Sequence, residues 1–421
     1  MAEIFCRSED RGRVITLKPF FSATLTNTTP VFLGGYDTQY ARDGITEGLR
    51  TQSLKGLIRY WMRVYLASTG YTLENIVSKV NELLGGKTGN NIHASKIKIN
   101  CNDNINTKFH TLEAEAKKDS NKKWKQKTEI VLKVDNKIND YYKKIPRISL
   151  ISLAAKNNKR VKLTFADRNE LKSTIVLSER ITLEYNDKIL VIGSLITGLL
   201  LSGLGNMSRR GFGCFDIMVE EDYSKESFKD IVNKIFDRID VDERISLIKK
   251  VIKTTRDIID NNYNLRDSRD MPRIHALHPD HCKILYVYYK NVYKENILER
   301  ICTLQLFTVR SLRSKRLGED CITNKKLAWF MGLPRSQSDT GYFPVDKNIK
   351  RRASAMFISV HKDFALVSFF KSKDWPNRIE WKGNSEPPFE PDIEDAFNTT
   401  IDSFKRYMNS NGYVVKDVDI Q

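Results

Sequence analysis

The chain has 421 residues, 40% hydrophobic and 29% charged, a composition that supports two or three globular domains with a sizeable core. Its formal net charge of +18 favours polyanionic partners without separating RNA from DNA or anionic lipid. The most apolar run, 189–204, is broken by Gly193, Ser194, Thr197, Gly198, Ser202 and Gly203, and the first residues lack an apolar stretch, so neither a membrane span nor a signal peptide is expected and the cytoplasm is the expected location.

In chain order, residues 13–33 are β-prone. An amphipathic helix follows over 53–68, with Leu54, Leu57, Ile58, Trp61 and Tyr65 on one face. Residues 75–147 are rich in Lys and Asn, and their middle, AKKDSNKKWKQKTEIVLK at 116–133, reads as a solvated insertion, partly helical and partly mobile. Strands are expected at 160–166 and 173–185, the second alternating through Ile175, Leu177, Ile181, Leu183 and Tyr185. A short apolar helix, a glycine-rich loop at 203–213 and a strand at 214–220 close this half.

The second half opens with two helices, one capped by Ser224 and the next by Asp240 or Asp242. A buried strand at 283–292, a hairpin of 353–360 and 364–370, a helix over 393–409 stopped at Gly412, and a short strand follow. The expected class is α+β: two ferredoxin-like (RRM-like) domains with helical insertions, 1–222 and 223–421. The insertion at about 75–147 belongs to the first.

Two segments carry chemistry. On the first helix, Lys55, Arg59 and Arg63 recur every four residues, a cationic stripe suited to phosphates, and the helix start near Ser53 offers free N–H donors. Solvated basic residues on a surface helix explain the same pattern. The loop GLGNMSRRGFG places Gly203, Gly205, Gly211 and Gly213 around Arg209 and Arg210, so backbone N–H groups and forked guanidinium donors can meet an RNA phosphate. It has neither the Walker A pattern nor the dinucleotide fingerprint, since it follows a helix and opens into a strand.

Taken together, TPVFLGG at 29–35, the motif from Leu49 and Arg50 through Ser53, Lys55, Gly56, Arg59, Trp61 and Arg63, and the GLG…RRGFG loop resemble the RAMP superfamily. Within it they resemble the first subunit of type III-B (Cmr) CRISPR complexes, as do WFMGLPRS at 329–336 and KRRASAMFI at 350–358. The resemblance implies a cytoplasmic, non-catalytic RNA-binding subunit. Its expected partners are guide RNA (crRNA, toward its 3′ end), target RNA and other Cmr subunits, in antiviral defence. No cofactor and no membrane contact are implied. One departure is Met62, where family members often carry a second tryptophan.

Other features leave alternatives open. His275, His278 and His281 sit at metal-ligand spacing next to Cys282, yet four ligands within eight residues rarely close a tetrahedron, and a polar loop is the plainer reading. Lys350, Arg351 and Arg352 can hold phosphate, as can 310–316, or be solvated charge. Tyr286 and Tyr288 are stacking platforms or core. The six cysteines form no C-x-x-C pair and are expected to be reduced. Two rival functions remain: a metal-independent guide-RNA-processing endoribonuclease of the same superfamily, and a scaffold with little RNA contact.

Overall fold

The computed structural model describes residues 17–32, 48–69, 71–103, 107–118, 128–153, 160–223, 228–260, 270–290, 296–308, 327–337, 340–346, 349, 351–382 and 387–420. Gly34 and Gly35, the cap Ser224, residues 310–316 and Lys350 lie outside the described residues.

The first sheet is built from β1 (Lys18–Asn27), β2 (Ile97–Asp103), β3 (Lys172–Glu179) and β4 (Phe215–Asp222). α1 (Thr51–Ser68) follows β1, and α2 (Tyr185–Leu201) follows β3. The strands run antiparallel in the order β4-β1-β3-β2, with Ala23 opposite Ile175 and Leu25 opposite Ile217. β2 corrects the sequence expectation, because it lies inside the supposed insertion. Ile97 and Ile99 are buried while Lys98 and Asn100 alternate with them, a half-buried strand under a polar composition. β3 also ends earlier than expected. Ile181 is exposed, and Tyr185 starts α2 rather than ending a strand.

α2 is buried on every side from Ile189 to Leu201. It lies between α1 and a later helix, Val241–Asp260, whose start is capped by Asp240 accepting from the N–H of Asp242 at 2.7 Å. The glycines that interrupt the apolar run sit at these contacts. A Cβ on Gly198 would come within 2.7 Å of the Trp61 ring, and one on Gly193 would overlap Thr255. The run is apolar because protein surrounds it, and no described helix is long and apolar enough to cross a membrane.

The second half repeats the arrangement. β5 (Cys282–Tyr289), β6 (Met356–Val360), β7 (Ala365–Phe370) and β8 (Tyr413–Val418) form an antiparallel sheet in the order β6-β7-β5-β8. Helices Ile297–Leu306 and Ile393–Ser410 follow β5 and β7. Gly412, at φ 84°, ends the last helix as expected. Read from each sheet's fourth strand, both orders are fourth-first-third-second.

Both faces of this sheet are buried, and alternation sorts its residues between two cores. Cys282, Ile284 and Tyr286 of β5 join Trp61, Leu195 and Phe215 of the first half, while Leu285 and Val287 pack with Ile301, Phe330 and Phe404. Tyr286 is therefore core, held by Arg244 at 2.9 Å and stacked on Phe364.

The described residues of the remaining Lys/Asn-rich stretch form strands as well. Its strands His110–Lys118 and Thr128–Val134 join Arg160–Ala166, Val31–Phe32 and Lys137–Ile138 in an antiparallel sheet. Leu112, Leu132 and Phe165 place this sheet in the second core, beside Phe32 and Phe212. Strand 160–166 belongs to this sheet and not to the first.

Candidate nucleic-acid interface

The two sequence segments meet in one cleft of about 380 Å³. One wall is a single face of α1, with Ser53, Gly56, Leu57, Tyr60 and Trp61 at the spacing of successive helical turns, together with Arg50 at its start. The opposite wall is Ser202–Asn206 with Ser208 and Arg209, and Phe357 of β6 closes the cleft from the second half.

α1 begins at Thr51, two residues before the expected start. Arg50 is its N-cap residue without a side-chain cap, and the N–H of Ser53 donates to the Arg50 carbonyl at 2.9 Å. Upstream, the N–H of Leu49 donates to Asp103 of β2 at 2.7 Å and fixes where the chain enters the helix.

Gly56 is exposed inside this helix, and a Cβ there would meet nothing within 4 Å. An interior helical glycine costs about 1 kcal/mol relative to alanine, and no packing contact here requires one. The sequence shows it as one position of the family motif and not as a site residue, although a glycine in a strongly periodic helix is the signal that marks it.

The loop glycines serve the loop's own packing. Gly205, Gly211 and Gly213 have positive φ, and a Cβ on Gly213 would overlap the Leu204 carbonyl. A Cβ on Gly203 would overlap the carbonyls of Phe212 and Gly213. The N–H of Gly203 donates to Ser208, Leu204 to Gly213, Asn206 to Phe32, Gly211 to Ile358 and Gly213 to Pro30, at 2.7–3.0 Å. These donors are used in folding the loop and in tying it to β6, whereas the N–H groups of Gly205, Ser208 and Arg209, residues that line the cleft, make no hydrogen bond among the described residues.

The two loop arginines diverge. Arg209 lies over the rings of Tyr60 and Phe357, 5.1 and 4.6 Å from their centroids, and lines the cleft. Arg210 turns toward the second half, donating to the Met331 carbonyl at 3.3 Å while its own carbonyl accepts from Gln305 at 2.6 Å.

Behind Tyr60 runs a relay across the molecule. Its hydroxyl is 2.6 Å from Nδ1 of His275, and Nε2 of His275 is 3.0 Å from Arg352. A guanidinium only donates, so Nε2 accepts and the ring proton sits on Nδ1, facing the Tyr60 oxygen. Burial, then the charges of Arg352 and Arg209, hold His275 well below the usual histidine range, which agrees with a neutral ring. The Tyr60 O–H is then left without an acceptor among the described residues.

Arg352 is buried, bonded to Ser372 and Asp374 at 2.9 and 2.8 Å and lying 4.4 Å from the Trp375 ring centroid. It was expected at an RNA surface, and burial with a carboxylate partner makes it an internal strut. Its neighbour Arg351 is exposed.

Lys55, Arg59 and Arg63 line a different face of α1 and do not reach the cleft. Arg59 donates to the carbonyls of Leu84 and Gly85 at 3.3 and 2.5 Å, capping the helix Leu73–Leu84. Burial, then the charges of Arg59 and Arg180, lower the pKa of Lys55; burial, then Arg59, lowers that of Arg63. None of these four cations forms an ion pair among the described residues, so they make an uncompensated positive patch beside the cleft.

The histidine run does not converge. His275 faces Tyr60 and Arg352, whereas the rings of His278 and His281 lie 5.2 Å apart, tilted by 32° to each other. No group of three metal-ligating side chains occurs among the described residues.

Comparison with known proteins follows this geometry. Residues 24–216 match the RAMP superfamily. No curated protein matches the sequence. Among solved structures, chains of the type III-B Cmr-beta bound to cognate target RNA superpose with TM-scores of 0.59, at 12–13% identity, covering 93% of this chain and 100% of theirs. Cmr1 from Pyrococcus furiosus, in its apo form, superposes with a TM-score of 0.53 at 17% identity, covering 95% of this chain and 98% of its own. Residues 24–216, which carry α1 and the glycine-rich loop, are thus the part of the chain that matches the RAMP superfamily, and the fold around them is similar to that of Cmr1.

Proposed function

We propose that the protein is a non-catalytic RNA-binding subunit of a type III-B CRISPR effector, holding guide RNA and target RNA beside other Cmr subunits. It has two ferredoxin-like units, 1–222 and 223–421; the fourth-first-third-second strand order of both sheets supports that description. The observation that carries the functional reading is the open cleft between α1, the glycine-rich loop and β6, with Arg209 at its wall and the unpaired patch of Lys55, Arg59, Arg63 and Arg180 alongside. Exposed Arg351 extends the basic surface. A single strand is suited to both features, since its phosphates are held by cations while its bases remain free to enter apolar or aromatic sites. His275, which touches the cleft residue Tyr60, has both ring nitrogens engaged by Tyr60 and Arg352, which supports a binding role over general acid–base work.

The test is titration of labelled single-stranded RNA with the purified chain at several salt concentrations. Binding should weaken steeply with salt. Replacing Lys55 and Arg180 together by Ala should shallow the logarithmic slope by about 0.7 for each phosphate no longer neutralised. Weak, salt-insensitive binding would favour a scaffold, and a defined cleavage product in EDTA would favour the endoribonuclease.

A further inference from the structure

Resting on that reading, we propose that the cleft beside Gly56 takes a nucleobase of single-stranded RNA, stacked on the guanidinium of Arg209, and not a backbone phosphate.

Four observations point the same way. Gly56 is exposed in the middle of α1 with open space where its Cβ would be, and its neighbours on the helix face, Ser53, Leu57 and Tyr60, all line the cleft. A side chain at 56 would project into the cleft, so the glycine keeps room that the fold itself does not need. The walls are mixed: Leu49, Leu57, Trp61, Leu204 and Phe357 stand among Arg50, Ser53, Ser202, Asn206, Ser208 and Arg209. A base can set its faces against the apolar side chains and its polar edges against the others, a match that a phosphate, polar all round, does not make. The volume, about 380 Å³, falls in the range of roughly 300–1,000 Å³ that holds ring-sized organic groups.

Arg209 supplies the stacking surface. Its guanidinium carbon sits over the Tyr60 and Phe357 rings, 5.1 and 4.6 Å from their centroids. A guanidinium seated there, at the wall of the cleft, can stack on a base, in the manner of arginine–base stacking in single-strand recognition. Meanwhile the N–H groups of Gly203, Gly211 and Gly213 are bonded within the protein. Stacking of this kind tolerates any base, as a subunit reading many guide sequences requires. The phosphates on either side of the inserted base remain outside, where Lys55 and Arg180 are exposed or half-buried.

The experiment measures binding of the full chain to two labelled probes, a single-stranded oligouridylate and an abasic ribose-phosphate oligomer of the same length. Wild type should prefer the oligouridylate by about fivefold to 100-fold. Gly56→Leu fills the cleft while improving helix propensity, so it should melt no lower than wild type, lose most of that preference and keep its affinity for the abasic oligomer. Arg209→Lys retains the charge but removes the planar stacking face, and should behave the same way if Gly56→Leu fails to fold. Unchanged oligouridylate binding in both variants overturns the proposal. Equal losses on both probes also overturn it, assigning the cleft to phosphate while leaving RNA binding intact. A wild-type chain that binds neither probe removes the proposal together with the RNA-binding reading.

Discussion

Arg59 shows how a residue read as a ligand contact acquires a structural task. Its position in the stripe Lys55, Arg59, Arg63 fits phosphate tracking, yet its guanidinium closes the C-terminal end of the helix Leu73–Leu84. Charge-assisted hydrogen bonds to terminal carbonyls contribute about 1.5–3 kcal/mol, less where water reaches them. Arg59→Ala should therefore lower the urea-unfolding free energy by about 1–2 kcal/mol. Lys55→Ala, lacking such bonds, should leave stability within about 0.5 kcal/mol. Equal effects of the two substitutions would show that the Arg59 cap contributes nothing. The same divergence separates Arg209, at the cleft, from Arg210, which is turned to the second half. Adjacent side chains in a tight loop leave the backbone in different directions, so a doublet in sequence need not be a doublet in space.

At the scale of an element, the sheet formed from the Lys/Asn-rich stretch is clasped by His110. Nδ1 lies 2.5 Å from Asp135, in the turn after strand 128–134, and Nε2 lies 2.8 Å from Glu170, in the turn before β3. Lys108 stands near Asp135, and the Phe165 ring packs on the imidazole. Both ring nitrogens face carboxylates, so the imidazolium satisfies both. Burial opposes the charged form, but the bonds and charges of Asp135 and Glu170 outweigh it, and the pKa is raised. The contribution to stability is thus fully present below the unfolded value of about 6.5 and is lost as pH rises through the higher folded value. The denaturation midpoint should fall across that interval in wild type, and His110→Gln should abolish the step. A midpoint that rises over the same interval would contradict the clasp.

The whole molecule is tied across its middle. Thr28 of the first half donates to the Val360 carbonyl at 2.7 Å, Ser359 donates to the Ser202 carbonyl at 3.3 Å, and buried His361 lies 3.1 Å from Asp216. The core that holds Trp61 and Phe215 also holds Phe357, Leu366 and Phe370. Unfolding either half would expose apolar surface of the other, so the two sheets should unfold as one cooperative unit. In hydrogen exchange under rising urea, peptides covering β1 and β3 should lose protection at the same concentration as those covering β5 and β7. Separate midpoints would mean that the shared core does not couple the halves. This coupling matters for the cleft, because Phe357 and the His275–Arg352 relay come from the second half while α1 and the loop come from the first.

The sequence by itself determined the elements whose periodicity and punctuation are strong. The apolar face of α1, the hairpin about residues 361–363, and the last helix with its Gly412 stop are all local patterns. So were the family motifs, because they are contiguous. It misjudged β2, where Lys and Asn on the solvent face hid the alternation of Ile97, Ile99 and Cys101, and it left open which strands 160–166 pairs with. Strand pairing is a choice among distant segments, and composition does not rank them. Only the tertiary structure decided which candidate side chains remain available. Arg59, Arg210 and Arg352 are bonded within the protein, while Gly56, Tyr60, Arg209 and Phe357 meet at one cleft from three separate segments. A side chain's role depends on what lies within a few ångströms of it, and for these residues those neighbours come from remote parts of the chain.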